Sequence, residues 1–177
     1  MSIHLNLYNP KSNETIKMIR STTQLPYSLA ETIRQKKSQY CRFADTQDWD
    51  SFRDLFADNA SIVFSDANGI TLKENKIPLS FPTPDEFVDH FAVAFSRQQT
   101  IHQTGPGELS FVEGKQDEVN AIWPVMYKCG SKSSFGGWSG NGGGHYHEVW
   151  KEVDGEWCIQ SLRFVRTYWK VTMGRLD

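Results

Sequence analysis

The sequence predicts an α+β fold in which N-terminal helices pack on one face of an antiparallel sheet. Two segments with helix-capping signals lie in the first half of the chain, and nearly everything after residue 100 alternates as β-strands do. Long strands that contain glycines and bulges bend a sheet. A bent sheet closed by helices encloses a hollow. We therefore expect a strongly curved sheet wrapped around the helices, a cone-shaped α+β barrel with one internal pocket.

The bulk composition narrows the class of protein. A chain of 177 residues with a net charge of −2 and interspersed signs suits one domain, and argues against a nucleic-acid groove or an anionic membrane surface. No apolar run approaches a membrane span, and the N-terminus lacks a secretory pattern. Three cysteines without a CxxC pair indicate reduced thiols. We expect a cytoplasmic protein whose partner is a small molecule, with no nucleic acid and no membrane.

The first part of the chain divides into an arm and the start of the domain. Residues 1–27 are polar and irregular, which predicts an N-terminal arm before a single domain over residues 28–177. Ser28 and Glu31 match a capping box, so the first helix is predicted to begin there and to run to about Ala44.

Further capping signals predict two more helices. Asp48 precedes apolar residues at helical spacing, which predicts a short second helix. Thr83 and Glu86, with Pro84 between them, form another capping box. Residues 60–64 between these helices read as a strand.

Strands dominate the remainder of the chain. The predicted strands are residues 100–104, 108–113, 118–129, 145–153 and 157–169. Asp154 and Gly155 form the strongest hairpin signal, and residues 114–117 read as a second turn. Residues 130–144 contain seven glycines and predict a flexible connector. Phe135 and Trp138 in that connector leave open that it folds over a ligand.

The strand that begins at His145 carries the first candidate site residues. Alternation places Tyr146, Glu148 and Trp150 on one face, and His145 and His147 on the other. A carboxylate held in an apolar pocket has a raised pKa and can act as an acid or a base near neutral pH. A shift of one residue would exchange Glu148 for His147, so the inward face stays open.

Two other strands offer polar residues among apolar ones. Trp123, Tyr127 and Cys129 share one face, which is either an aromatic pocket with one hydroxyl or ordinary core. His102 faces opposite to Ile101. It is either a structural histidine or a functional one.

The first helix adds Tyr40, Arg42 and Asp45. Arg42 and Asp45 are three residues apart and share a face. They are either a solvated ion pair or part of the pocket.

Several chemistries lack their motifs. The sequence contains no GxxxxGK[ST], GxGxxG after a strand, HExxH or GxSxG. His145 and His147 have metal-ligand spacing on a strand but no obvious further ligands. We therefore expect no metal and no cofactor.

Five segments together resemble a known family. They are residues 45–50 (DTQDWD), 55–60 (LFADNA), His102, 144–148 (GHYHE) and 154–159 (DGEWCI). Their order and spacing are similar to SnoaL-like proteins of the nuclear-transport-factor-2-like superfamily, over about residues 28–169. The resemblance implies a curved sheet around one apolar pocket and, as in many members, a homodimer formed through the outer sheet face.

Within the superfamily the pattern is similar to scytalone dehydratase. Asp45 matches its pocket aspartate, and His102 matches one of its two catalytic histidines. The second catalytic histidine of scytalone dehydratase falls near Cys129 in this sequence, and its two tyrosines fall near Ala44 and Phe64. At these three positions the sequence therefore differs from the scytalone dehydratase pattern.

A second likeness is to fungal SnoaL-like isomerases, which use arginine, tyrosine and acidic residues. Arg42, Tyr127 and Glu148 stand at comparable places in this sequence.

Together these observations predict a cofactor-independent isomerase, dehydratase or cyclase of secondary metabolism acting on a polycyclic or aromatic molecule. His102 with Asp45 is expected to form one acid–base pair, Glu148 with Tyr127 the other, and Arg42 to stabilise negative charge. The predicted substrate contacts are Tyr40, Phe64, Trp123, Cys129, Tyr146, His147, Trp150 and Trp157.

Two alternatives remain. One is a binding or assembly module of the same fold that carries out no chemistry. The other is a hydrolase that adds water to an epoxide. That reaction needs an Asp–Arg–Asp arrangement, of which only Arg42 and Asp45 stand near each other in the sequence.

Overall fold

The computed structural model describes residues 25–132 and 137–174, so most of the predicted N-terminal arm lies outside the described residues. The helices described are α1 (Tyr27–Thr46), α2 (Trp49–Arg53) and α3 (Pro84–Phe95). The strands described are β1 (Phe56–Asp66), β2 (Lys73–Glu74), β3 (Ile77–Pro78), β4 (Ser80–Phe81), β5 (Gln98–Thr104), β6 (Glu108–Phe111), β7 (Glu118–Ser131), β8 (Trp138–Val153) and β9 (Glu156–Met173).

Seven of these strands form one curved, unclosed sheet that wraps around the helices. The order is β4-β1-β9-β8-β7-β5, with β6 also paired to β7, and β2 and β3 form a separate small hairpin. The pairs are antiparallel except β1 with β9, which is parallel. The predicted α+β class is therefore confirmed.

Two of the three predicted helix caps are present. The side chain of Asp48 accepts a hydrogen bond from the Ser51 amide, and that of Thr83 accepts one from the Glu86 amide. The predicted capping box at Ser28 is wrong. Helix α1 begins one residue earlier, after Pro26, and has no side-chain cap.

The described parts of the glycine-rich segment are almost entirely strand rather than flexible connector, which corrects the prediction for residues 130–131 and 138–144. Residues 130–131 end β7 and residues 138–144 begin β8, paired from Gly130 opposite Ser139 to Val125 opposite Gly144. β9 pairs with the other edge of the same stretch. Hydrogen bonds along both edges hold this backbone extended even though glycine disfavours strands. Residues 133–136, which include Phe135, lie outside the described residues.

Two bulges change which side chains of β9 point inward. The register between β8 and β9 shifts at Gln160 and again at Thr167, so each is an extra residue on β9. Each bulge reverses the alternation of faces. Arg166 and Trp169, which lie on either side of the second bulge, consequently both border the interior.

Aromatic side chains fill the space between α2, α3 and the sheet. The centroid of the Phe87 ring lies 5.7 Å from those of Phe52 and Phe56 and 5.4 Å from that of Phe81. These four residues are at most 6% exposed, so they form packed core on one side of the curved sheet. Among the described helices, none is both long enough and apolar enough to cross a membrane.

Candidate active site

A partly open cavity of about 270 Å³ lies between the inner face of the sheet and α3. A smaller space of about 40 Å³ lies against Tyr40, Trp49 and Phe52 and shares further lining residues with the cavity. The aromatic residues that line the main cavity include Phe64, Phe91, Phe95, Tyr146, Phe164 and Trp169. The predicted apolar pocket is thus present, and its walls suit a flat apolar molecule.

His102 and Asp45 meet at the wall of this cavity. The Asp45 carboxylate lies 2.7 Å from His102 Nδ1 and accepts hydrogen bonds from the His102 main-chain N–H and the Thr100 hydroxyl, both at 2.8 Å. Helix α1 supplies Asp45 and β5 supplies His102. The side chains are 18% and 12% exposed, and His102 lines the cavity.

This contact defines which nitrogen of His102 is available for chemistry. Burial alone would raise the pKa of Asp45, but the hydrogen bonds from His102 outweigh it and hold that pKa below its ordinary value. An ionised Asp45 accepts the proton on Nδ1, which leaves the lone pair of Nε2 free to face the cavity. The Asp45 carboxylate therefore fixes the orientation of the His102 ring, with Nδ1 toward Asp45.

Tyr127 lies beside His102 and also lines the cavity. Their rings are 26° apart in plane, with centroids separated by 5.7 Å. Burial raises the pKa of Tyr127, although the nearby Arg166 guanidinium acts in the opposite direction. The hydroxyl consequently stays protonated and can donate a hydrogen bond into the cavity.

Glu148 lies away from this cavity. It faces inward as predicted, but the Lys37 ammonium lies 2.5 Å from its carboxylate, and the indole N–H groups of Trp123 and Trp150 donate to it at 2.8 and 2.9 Å. It pairs across strands with Ala121, six residues along β7 from Tyr127. The structure thus does not bring Glu148 and Tyr127 together as the predicted acid–base pair.

Arg42 and His147 also lie outside the cavity wall, which corrects their predicted positions. Arg42 is exposed, and its guanidinium lies 4.8 Å from the centroid of the Phe43 ring. It sits on a different face of α1 from Asp45, whose carboxylate bonds to His102 and Thr100. His147 alternates with the buried Tyr146 and therefore points to the outer face of the sheet.

The predicted substrate contacts divide into two groups. Phe64, Cys129 and Tyr146 line the cavity, and Tyr40 lines the smaller space. Burial raises the pKa of Cys129, so its thiol stays protonated. Three others are buried in the core without lining the cavity: Trp123, Trp150 and Trp157.

Sequence reasoning missed Arg166, the arginine that does line the cavity. Unbroken alternation from Trp157 would turn Arg166 outward, and the bulge at Gln160 turns it inward. Lys73 and Glu74 from β2 line the cavity as well. Trp138, one of the two aromatic residues of the predicted connector, also lines the cavity.

Comparison with solved structures places the fold. A crystal structure named "Putative Scytalone Dehydratase" from Novosphingobium aromaticivorans is 14% identical, with a TM-score of 0.66 and coverage of 85% of this chain and 90% of that one. A hexachlorocyclohexane dehydrochlorinase (LinA Type2) is 19% identical, with a TM-score of 0.67 and coverage of 84% and 91%. At these identities the likeness shows the fold alone.

Comparison with sequences gives the family. A protein of Gibberella zeae named "Probable cyclase FGR4" is 42% identical over 142 residues, which cover 80% of this chain and 93% of the relative. Its name agrees with the predicted isomerase or lyase type of enzyme. The model of the SnoaL-like domain matches residues 28–163. The chain therefore belongs to the SnoaL-like domain family.

Proposed function

We propose that this protein is a cofactor-independent isomerase, dehydratase or cyclase that acts by general acid–base catalysis on a small conjugated-ring molecule. The observation that carries this proposal is the Asp45–His102 pair at the wall of a cavity lined by aromatic side chains. Positioned acid–base groups accelerate reactions by about 10²–10⁴-fold each, which suffices for a substrate that already rearranges readily.

The first step is removal of a proton from the substrate by His102 Nε2. The proton leaves a carbon next to a carbonyl group, the C–H electron pair moves into the conjugated system, and negative charge develops on the carbonyl oxygen. The Tyr127 hydroxyl donates a hydrogen bond toward that charge. The Asp45 carboxylate stabilises the imidazolium that His102 becomes.

The fate of the imidazolium proton separates the three reactions. If the proton returns to a different carbon, the reaction is an isomerisation. If the proton goes to a departing hydroxyl group, water is released and the reaction is a dehydration. If the carbanion attacks an electrophilic carbon of the same substrate, a ring closes and the proton goes to the oxygen of the acceptor. Each path consumes and returns one proton, so none requires a co-reactant.

The two alternatives receive less support. A binding module would need no ionisable groups in its cavity, whereas His102 and Arg166 both border this one. An epoxide hydrolase would need Arg42 between two aspartates, but Arg42 is exposed and stacks on Phe43.

A homodimer formed through the outer sheet face is the second part of the proposal. Ile101, Met126 and Tyr168 are 62%, 70% and 53% exposed on that face. Exposed apolar groups that cluster on one surface favour association. The cytoplasmic location and the absence of a nucleic-acid partner stay predictions.

The proposal is tested by incubating the purified protein in D₂O with a panel of fused-ring hydroxy ketones and analysing each compound by mass spectrometry. We expect at least one compound to lose water, rearrange or cyclise, or to take up deuterium beside its carbonyl group, without any added cofactor. His102→Ala should abolish the change and His145→Ala, on the outer face, should keep it. Conversion that is equally fast with His102→Ala would contradict the proposal.

A further inference from the structure

One wall of the cavity is a row of aromatic rings built across four neighbouring strands. His102, Tyr127, Gly142 and Trp169 are directly paired positions on β5, β7, β8 and β9. The three rings, which we call the ring row, lie 26° apart in plane at each step, with centroid separations of 5.7 and 5.8 Å.

Because Gly142 has no side chain, the rings of Tyr127 and Trp169 can approach each other above it. Strands β7 and β9 are two inter-strand spacings apart, roughly 9–10 Å. The rings of Tyr127 and Trp169 come within 5.8 Å because both lean over Gly142. A Cβ atom at Gly142 would lie 2.5 Å from the Tyr127 hydroxyl oxygen and 2.9 Å from the Trp169 ring, so any side chain here would force these rings to move.

Arg166 lies beside two members of the ring row, Trp169 and Tyr127, and is close enough to the Tyr127 hydroxyl to oppose the rise that burial causes in the pKa of that group. Its guanidinium carbon is 5.7 Å from the centroid of the Trp169 ring, and it lines the cavity. Among the described residues, no carboxylate lies within ion-pair distance of Arg166. The acidic residue that shares this cavity, Glu74, has His90 as its partner at 3.0 Å.

A cation in such a position selects for an anion. The planar fork of arginine matches the two oxygens of a carboxylate. Arg166 and His102 both line the cavity, and both lie beside Tyr127.

Building on the proposed function, we propose that the substrate is a conjugated-ring acid. Its ring lies along Tyr127 and Trp169, its carboxylate or other anionic oxygen pairs with Arg166, and its reacting C–H lies at His102 Nε2. Arg166 is then a residue that determines specificity by binding the substrate, rather than a group that stabilises charge formed during the reaction.

The test compares binding of the β-naphthoate anion with that of neutral β-naphthamide, followed by tryptophan fluorescence and calorimetry. The wild-type protein should bind naphthoate at least about tenfold more tightly, because charge-assisted hydrogen bonds are available to the anion alone. Arg166→Gln should remove this preference, and Arg166→Lys should keep part of it. Arg163→Gln, an exposed arginine of the same strand, should leave it unchanged.

Equal binding of the acid and the amide by the wild-type protein would overturn the proposal, as would a preference that survives Arg166→Gln. Failure of both probes to bind would also overturn it, since the ring row would then not hold a flat ring. The readout does not depend on turnover, so His102→Ala should keep the naphthoate preference. The binding experiment can therefore fail while the acid–base mechanism holds, and the turnover experiment can fail while the anion site holds.

Discussion

The ammonium of Lys37 lies 2.5 Å from the carboxylate of Glu148, and the two side chains are 1% and 0% exposed. Lys37 also lies 3.8 and 3.7 Å from the ring centroids of Tyr40 and Tyr146. Two indole N–H groups complete the shell of Glu148. The pair joins α1 to the centre of the sheet, and it supports the tyrosines that border the cavity.

Breaking this pair from one side should be strongly destabilising. Lys37→Met leaves the Glu148 carboxylate buried without its countercharge, and we expect a loss of about 3–5 kcal/mol in the free energy of unfolding. Lys37→Met combined with Glu148→Gln should recover part of that loss, because the neutral amide oxygen still accepts from the indoles. Urea unfolding measures both variants. A double variant less stable than the single one would show that the charge itself is not what destabilises it.

The ring row should respond to a single methyl group. Gly142→Ala places a Cβ atom against Tyr127 and Trp169, so we expect Tyr127 to be displaced and the protein to lose about 1–3 kcal/mol of stability. Binding of naphthoate and naphthamide should weaken together, since the wall is lost and not the cation. Asn141→Ala, on the exposed face of the same strand, is the matched control. Unchanged binding in a folded Gly142→Ala protein would contradict this account of the wall.

Alkaline pH should unfold the protein through its buried tyrosines. Burial raises the pKa of Tyr40 and Tyr146 well above the ordinary value of 10.0. Above that pH the unfolded chain loses phenol protons that the folded chain keeps, so stability is complete below pH 10 and falls as the pH rises further. The slope should approach about 1.4 kcal/mol per pH unit for each tyrosine. Urea unfolding at several pH values should show a shallower slope for Tyr146→Phe but not for Tyr168→Phe, whose ring is exposed.

The outer sheet face should mediate self-association. Met126→Lys places a charge among exposed apolar side chains and should shift a dimer toward monomer in analytical ultracentrifugation. Val93→Lys, which changes a residue 77% exposed on α3, should leave the assembly state unchanged. A wild-type protein that is monomeric at all concentrations would remove the homodimer prediction.

The fold and part of the site could be predicted because they depend on local patterns. The Asp154-Gly155 turn, the Asp48 and Thr83 caps and the alternation of β7 are signals read over a few residues, and each is present in the structure. The pairing of Asp45 with His102 was expected from the family resemblance and could not be read from the spacing of the two residues.

The remainder of the site depends on relationships between distant strands. Arg166 faces the cavity only because β9 is bulged against β8, and no local pattern marks a bulge. Local sequence patterns do not identify Lys37 as the partner of Glu148, because a lysine on a helix ordinarily lies in water. Its burial depends on a carboxylate that lies 111 positions further along the chain.

The account depends most directly on His102 Nε2 as the base, with Asp45 holding the ring. For the compound converted in D₂O, we would measure kcat and deuterium uptake for the wild type, His102→Ala, Asp45→Asn and His145→Ala. His102→Ala should lower kcat by about 10²–10⁴-fold and abolish deuterium uptake, Asp45→Asn should lower both substantially, and His145→Ala should match the wild type. Wild-type rates of deuterium uptake in His102→Ala would contradict the account.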